Sequence, residues 1–168
     1  MDQPAVVVAF YVLAAVTLGS ALMVGLVRDL IHAVLFLILS FIGVAGLYVT
    51  LSADFVAVVQ VLIYAGAISV LMLFAILLTP RSARDNSSVS YRAPISVIAG
   101  LVGAIIVFVG LQTEWRTTEN PGFEETAREI GLALLEPYVL PFEVASVLLV
   151  IAMVGAIILV RPGTEEES

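Results

Sequence analysis

Apolar residues run through this chain in long unbroken blocks, with short polar interruptions between them. Five blocks stand out, at residues 5–27, 30–51, 55–78, 95–111 and 142–160. The strict alternation that a transmembrane strand needs is absent, so each block predicts a helix. The interruptions suit helix ends. Pro4 precedes the first block, a residue fitted to a helix start, and Gly25 with Arg28 and Asp29 ends it. The turn before the second block is so short that the first two helices should be antiparallel neighbours. Ser52, Ala53 and Asp54 make the next turn, and Pro80 closes the third block. The Arg- and Ser-rich stretch RSARDNSSVSYR follows, and Pro94 opens the fourth block. Residues 112–141 form a long polar connection. Within it Ala127, Ile130 and Leu134 recur at helical spacing, which predicts a short surface helix at 126–135. Pro137 and Pro141 come just before the last block, and residues 161–168 form a polar tail.

The third block differs from a plain lipid-facing helix. Its 24 positions, 55–78, carry no ionised side chain. At helical rise they span roughly 36 Å, enough to cross a hydrocarbon core of about 30 Å with some tilt. Yet Gln60, Tyr64, Gly66, Ala67 and Ser69 stand in its middle, where Leu or Val is the cheaper choice in lipid. In the first block, Ala15 with Gly19 and Ala21 with Gly25 form small pairs that would let another helix approach closely.

Composition agrees with the pattern. Of 168 residues, 61% are hydrophobic and 12% charged, and mean hydropathy is +1.14. A soluble domain of this size leaves too much of its area in water to hide such a surface. The fold class is therefore an all-α polytopic membrane protein with five transmembrane helices in a single membrane domain. Cysteine is absent, which excludes thiolate iron–sulfur ligation and disulfides in this chain. One histidine, His32, makes no self-contained haem or zinc site. No glycine-rich loop joins a strand to a helix, and nothing points to nucleic acid or nucleotide. The amino terminus lacks a basic flank, and its apolar run is too long for a signal peptide, so the first span is expected to be retained.

Orientation rests on arginine, since lysine is absent. With the amino terminus outside, Arg28, Arg81, Arg84, Arg92 and Arg161 lie inside, and Arg116 and Arg128 lie outside. That distribution satisfies the positive-inside tendency and the reverse topology violates it. The carboxyl terminus is then cytoplasmic.

Few residues can carry chemistry. Tyr64 and Gly66 admit two readings. A helix interrupted at YAGA can take a π-bulge, which frees a carbonyl and redirects a side chain. Equally, Gly66 and Ala67 can serve tight packing while Tyr64 bonds a neighbour. Glu143, near the outer end of the last block, is either a proton-relay group or a cap on the helix start. Asp54 raises the same question at the start of the third block, where the cap is favoured. His32 is expected to contact Asp29 one turn earlier, and Gln60 to make an interhelical hydrogen bond. No cluster of acids, lysines or histidines runs through the membrane middle, as a pump working alone would need. There is no internal repeat of the kind that builds many transporters.

Three stretches resemble a known family. DFVAVVQVLIYAGAISVLMLFAILL at 54–78, RDLIHAVLFLILSFIGVAGLYV at 28–49 and LPFEVASVLLVIAMVGAIILVR at 140–161 are similar to helices of subunit J of bacterial respiratory complex I, the counterpart of mitochondrial NADH dehydrogenase subunit 6. The resemblance implies a five-helix subunit of the bacterial inner membrane. It implies neither a prosthetic group nor catalytic residues in this chain. FMN, iron–sulfur clusters and quinone would belong to partner subunits. It places the chain in lipid beside the subunits lettered A, K and H, in an NADH:quinone oxidoreductase that couples quinone reduction to proton translocation. It further implies a π-bulge in the third helix that converts to regular helix and gates a water path toward glutamates of subunit K. The matching positions here are Tyr64, Ala65, Gly66 and Ala67. Other readings are the same subunit in a relative fed by ferredoxin or another donor, a purely structural assembly subunit, and a small stand-alone transporter.

Overall fold

The computed structural model describes residues 4–79, 92–114 and 125–160. The loop after Thr79, the middle of the acidic connection and the tail lie outside them, and with these Arg81, Arg84, Arg116 and Arg161. Every regular element among the described residues is helical: α1 (Pro4–Leu26), α2 (Leu30–Thr50), α3 (Asp54–Leu78), α4 (Arg92–Gln112), α5 (Thr126–Leu135) and α6 (Val139–Val160). α1, α2, α3 and α6 are long and apolar enough to cross a membrane, while the apolar part of α4, Val97–Gln112, is shorter.

Local chemistry sets the helix ends. Asp29 caps α2: its carboxylate accepts hydrogen bonds from the backbone N–H of Ile31 at 2.8 Å and of His32 at 3.4 Å. The expected Asp29–His32 contact is present, with 3.5 Å between Oδ1 and Nδ1. α2 ends in a doubly bonded turn. Ser52 N–H donates to Val49 O at 3.1 Å and Ala53 N–H to Tyr48 O at 2.9 Å. This arrangement needs a left-handed residue, and Ser52 supplies it with φ of 58°.

α6 starts earlier than the proline pattern implies. It begins at Val139, not at residue 142, so Pro141 lies in its first turn. There the missing N–H has no helical partner to lose. α4 likewise begins at Arg92, ahead of Pro94.

α1, α2 and α3 pack together, with α2 in the middle. The small pairs of α1 take no part in this packing: a Cβ built on Gly19 or Gly25 would meet nothing of this chain within 4 Å, which leaves that face open to a helix of another subunit. The close approach is made by α2. A Cβ on Gly43 would collide with the Thr17 hydroxyl, and one on Gly46 would stand 2.8 Å from Leu13 Cδ2. Small residues at the contact substitute for the hydrophobic drive that lipid removes. The seam is correspondingly polar and small. Its buried residues include Ser20, Ser40, Gln60 and Ser69 beside Val34, Ala45 and Ala57, while the large aliphatic side chains point outward. α5 packs on α6 and on the first turns of α3; among the described residues neither α4 nor α6 packs on α1, α2 or α3.

Candidate functional site: the widened turn of α3

α3 is not uniform. Regular helix at Asp54–Val59 gives way to π-helix at Gln60–Ile68 and returns to regular helix at Ser69–Leu78. A π turn bonds each N–H five residues back and carries one extra residue per turn. Tyr64, Ala65, Gly66 and Ala67 all fall inside this stretch. Glycine eases it directly: a Cβ on Gly66 would lie 3.2 Å from the Val61 carbonyl oxygen, tighter than ordinary contact. The returning edge is marked by Ser69, whose N–H is shared between the carbonyls of Gly66 and Tyr64. The Ser69 hydroxyl also donates to Tyr64 O, at 2.7 Å, and the residue is completely buried.

The Tyr64 ring leaves the helix toward α2. It meets Phe41 edge to face, with centroids 5.7 Å apart and planes at 70°, and stays 45% exposed. This contact ties the widened turn to its neighbour by an aromatic pair, not by a hydrogen bond. Gln60, at the leading edge, is only 8% exposed. Among the described residues the interhelical hydrogen bond expected of it is not made, and its polar atoms are not sealed from the surroundings.

The acids stand apart. Asp54 is the first residue of α3, where its charge favours the helix dipole; it makes no side-chain capping bond. It lies at the rim of an otherwise apolar groove of about 570 Å³ between α1, α2 and α3, which reaches Val61 and Leu62 of the widened turn. Glu143 is exposed on α6, past its first turn, so the cap expected of it is geometrically unavailable. Its backbone carbonyl accepts the Ser146 hydroxyl at 2.7 Å. The structure therefore gathers Tyr64, Ala65, Gly66 and Ala67 into one element, sets Asp54 near its start and leaves Glu143 away from it.

Phe41 and the bonding role of Ser69 were not foreseen from sequence. A lone hydroxyl just past YAGAI was the available signal for Ser69; nothing in sequence singled out Phe41 among the aromatic residues. Chemically, the element offers no nucleophile and no acid–base pair. Among the described residues no three His, Asp or Glu side chains converge to hold a metal. What the arrangement can do is change shape. A π-to-regular conversion rotates the two flanking sections by roughly 100° relative to each other, because one residue leaves the turn.

Residues 20–159 match the family described as NADH-ubiquinone/plastoquinone oxidoreductase chain 6. The chain is 41% identical to NAD(P)H-quinone oxidoreductase chain 6 of Leptolyngbya boryana, over 92% of this chain and 79% of that one. It is 38% identical to F(420)H(2) dehydrogenase subunit J of Methanosarcina mazei, over 90% and 89%. It is 36% identical to NADH-quinone oxidoreductase subunit J of Rhodobacter capsulatus, over 91% and 80%.

Proposed function

Because this chain belongs to the NADH-ubiquinone/plastoquinone oxidoreductase chain 6 family and is a membrane subunit of that type of complex, we propose that its own contribution is a conformational gate. The widened turn at Gln60–Ile68 carries the proposal. In the wide state the Tyr64 ring rests on Phe41. Conversion to regular helix turns that ring relative to α2 and opens or closes a water path to acidic groups on neighbouring subunits. Those neighbours are the subunits lettered A, K and H, with the acidic groups on K. Electron transfer and quinone reduction belong to other chains of the assembly. The residues present here do not fit an iron–sulfur cluster, since there is no cysteine. FMN, the clusters and the quinone site are accordingly assigned to partners.

The outward faces of α4 and α6 support this dependence. α6 has no buried residue within the chain, so these helices pack on lipid and on other subunits. The amino terminus lies outside and the carboxyl terminus in the cytoplasm, with the bacterial inner membrane as the site of action. In support, α5 packs on the start of α3, which puts residues 126–135 at the same end as the α2–α3 turn, as five crossings require. The electron donor is not a property of this chain. Its relatives carry names with NAD(P)H, F(420)H(2) and NADH, so the donor is set by the subunits that receive the electrons. NADH is the working assignment.

The test is the structure of the intact assembly at rest and during turnover. The gate requires the wide turn in one condition and regular helix in the other, beside ordered water. A turn that keeps one register in all states makes the subunit a scaffold.

A further inference from the structure

The described hydroxyls that bond within their own helix form a built-in comparison. Thr17, Ser20, Thr50, Thr79, Thr113 and Ser146 each donate to a carbonyl three or four residues earlier, the reach that regular helix allows. Ser69 alone among them reaches five residues back, to Tyr64 O at 2.7 Å. We infer that Ser69 is the positioning residue that holds the wide register of α3, by completing the hydrogen bonding of the Tyr64 carbonyl.

The reason lies in how the backbone donor is divided. In the wide register the Ser69 N–H is shared between Gly66 O and Tyr64 O, so neither carbonyl receives a full bond. The hydroxyl makes up the deficit at Tyr64. Ser69 is completely buried, so no water can replace its hydroxyl. In the regular register the same N–H would point at Ala65 O without division. The hydroxyl would then add a second donor to a carbonyl already paired, and back-bonding of that kind slightly destabilises a helix. The hydroxyl is thus worth more in the wide state than in the regular one, and its loss shifts the balance toward regular helix. The register of the same turn is what the gating reading uses, so the inference rests on that reading for its consequence, though not for its geometry.

The experiment is Ser69→Ala in the assembled complex from native membranes, with the resting structure solved and particles sorted by the register of residues 60–68. The ratio of wide to regular turns is expected to fall about fivefold, which corresponds to about 1 kcal/mol. Ser69→Thr keeps a hydroxyl and is expected to retain the wide turn. If the alanine chain does not assemble, Ser69→Cys, close in size with a weak donor, is expected to shift the ratio in the same direction. An unchanged ratio in Ser69→Ala, or in Ser69→Cys where that variant is used, overturns the inference. Proton pumping per quinone reduced is measured on the same samples. A shifted register with unaltered pumping leaves the lock standing and defeats the gate instead.

Discussion

Gly66→Ala isolates the widened turn, because one methyl group strains the wide register and is accommodated in the regular one. In the wide register the new Cβ would sit 3.2 Å from Val61 O. That oxygen belongs to the backbone, so it cannot swing aside; relief by a small bond-angle adjustment costs on the order of 0.5–1 kcal/mol. In regular helix the same methyl meets no such contact, and alanine's helical preference over glycine, which is measured against the unfolded chain, is common to both registers and does not move the balance. The strain moves the balance by about 0.5–1 kcal/mol, a factor of roughly 2 to 5 toward regular helix. The methyl removes no contact within the chain, so assembly should survive. The assay has two arms on membranes carrying the variant. One reads the register of residues 60–68 by structure determination. The other reads quinone reduction against proton uptake in sealed vesicles. Regular helix with depressed coupled turnover is expected. An unchanged proportion of wide turns would refute the steric reasoning, while a shift to regular helix with normal coupling would refute the gate.

Gly43→Leu drives a large side chain into Thr17 and should part α1 from α2; loss of the subunit from the purified complex checks it, and normal incorporation contradicts the seam as described. Ser52→Gly removes the left-handed strain at φ 58° and should stabilise the α2–α3 turn by about 1 kcal/mol, read as a raised melting temperature of the complex; no rise argues against the strain. Asp29→Ala deletes the two capping bonds of α2 and should cost about 1 kcal/mol, seen as faster amide exchange in the first turn of that helix. Glu143→Gln should leave proton transfer within about twofold, because the carboxylate stands clear of α3; a loss of tenfold or more would put it on the pathway.

Much of this molecule can be read from residue order alone, and the reason is that its determinants are local. A block of some twenty apolar residues must hydrogen-bond its own backbone in lipid, so hydropathy suffices to give helices and their approximate ends. Asp29 before α2 and the polar interruptions do the same for the boundaries, and YAGA marks α3 as the helix that departs from the rule. Helix pairing is different in kind. α1 and α6 are apolar all round, so no amphipathic stripe says which face meets which neighbour. The small pairs Ala15/Gly19 and Ala21/Gly25 say that a helix can come close but not which one, and within the folded chain the close approach is made by Gly43 and Gly46 against Thr17 and Leu13. Phe41 meeting Tyr64 and the bond from Ser69 to Tyr64 were also settled only in three dimensions. Each depends on the rotation of one helix about its axis relative to another, a quantity set by the sum of many weak contacts across the seam and written at no single position in the chain.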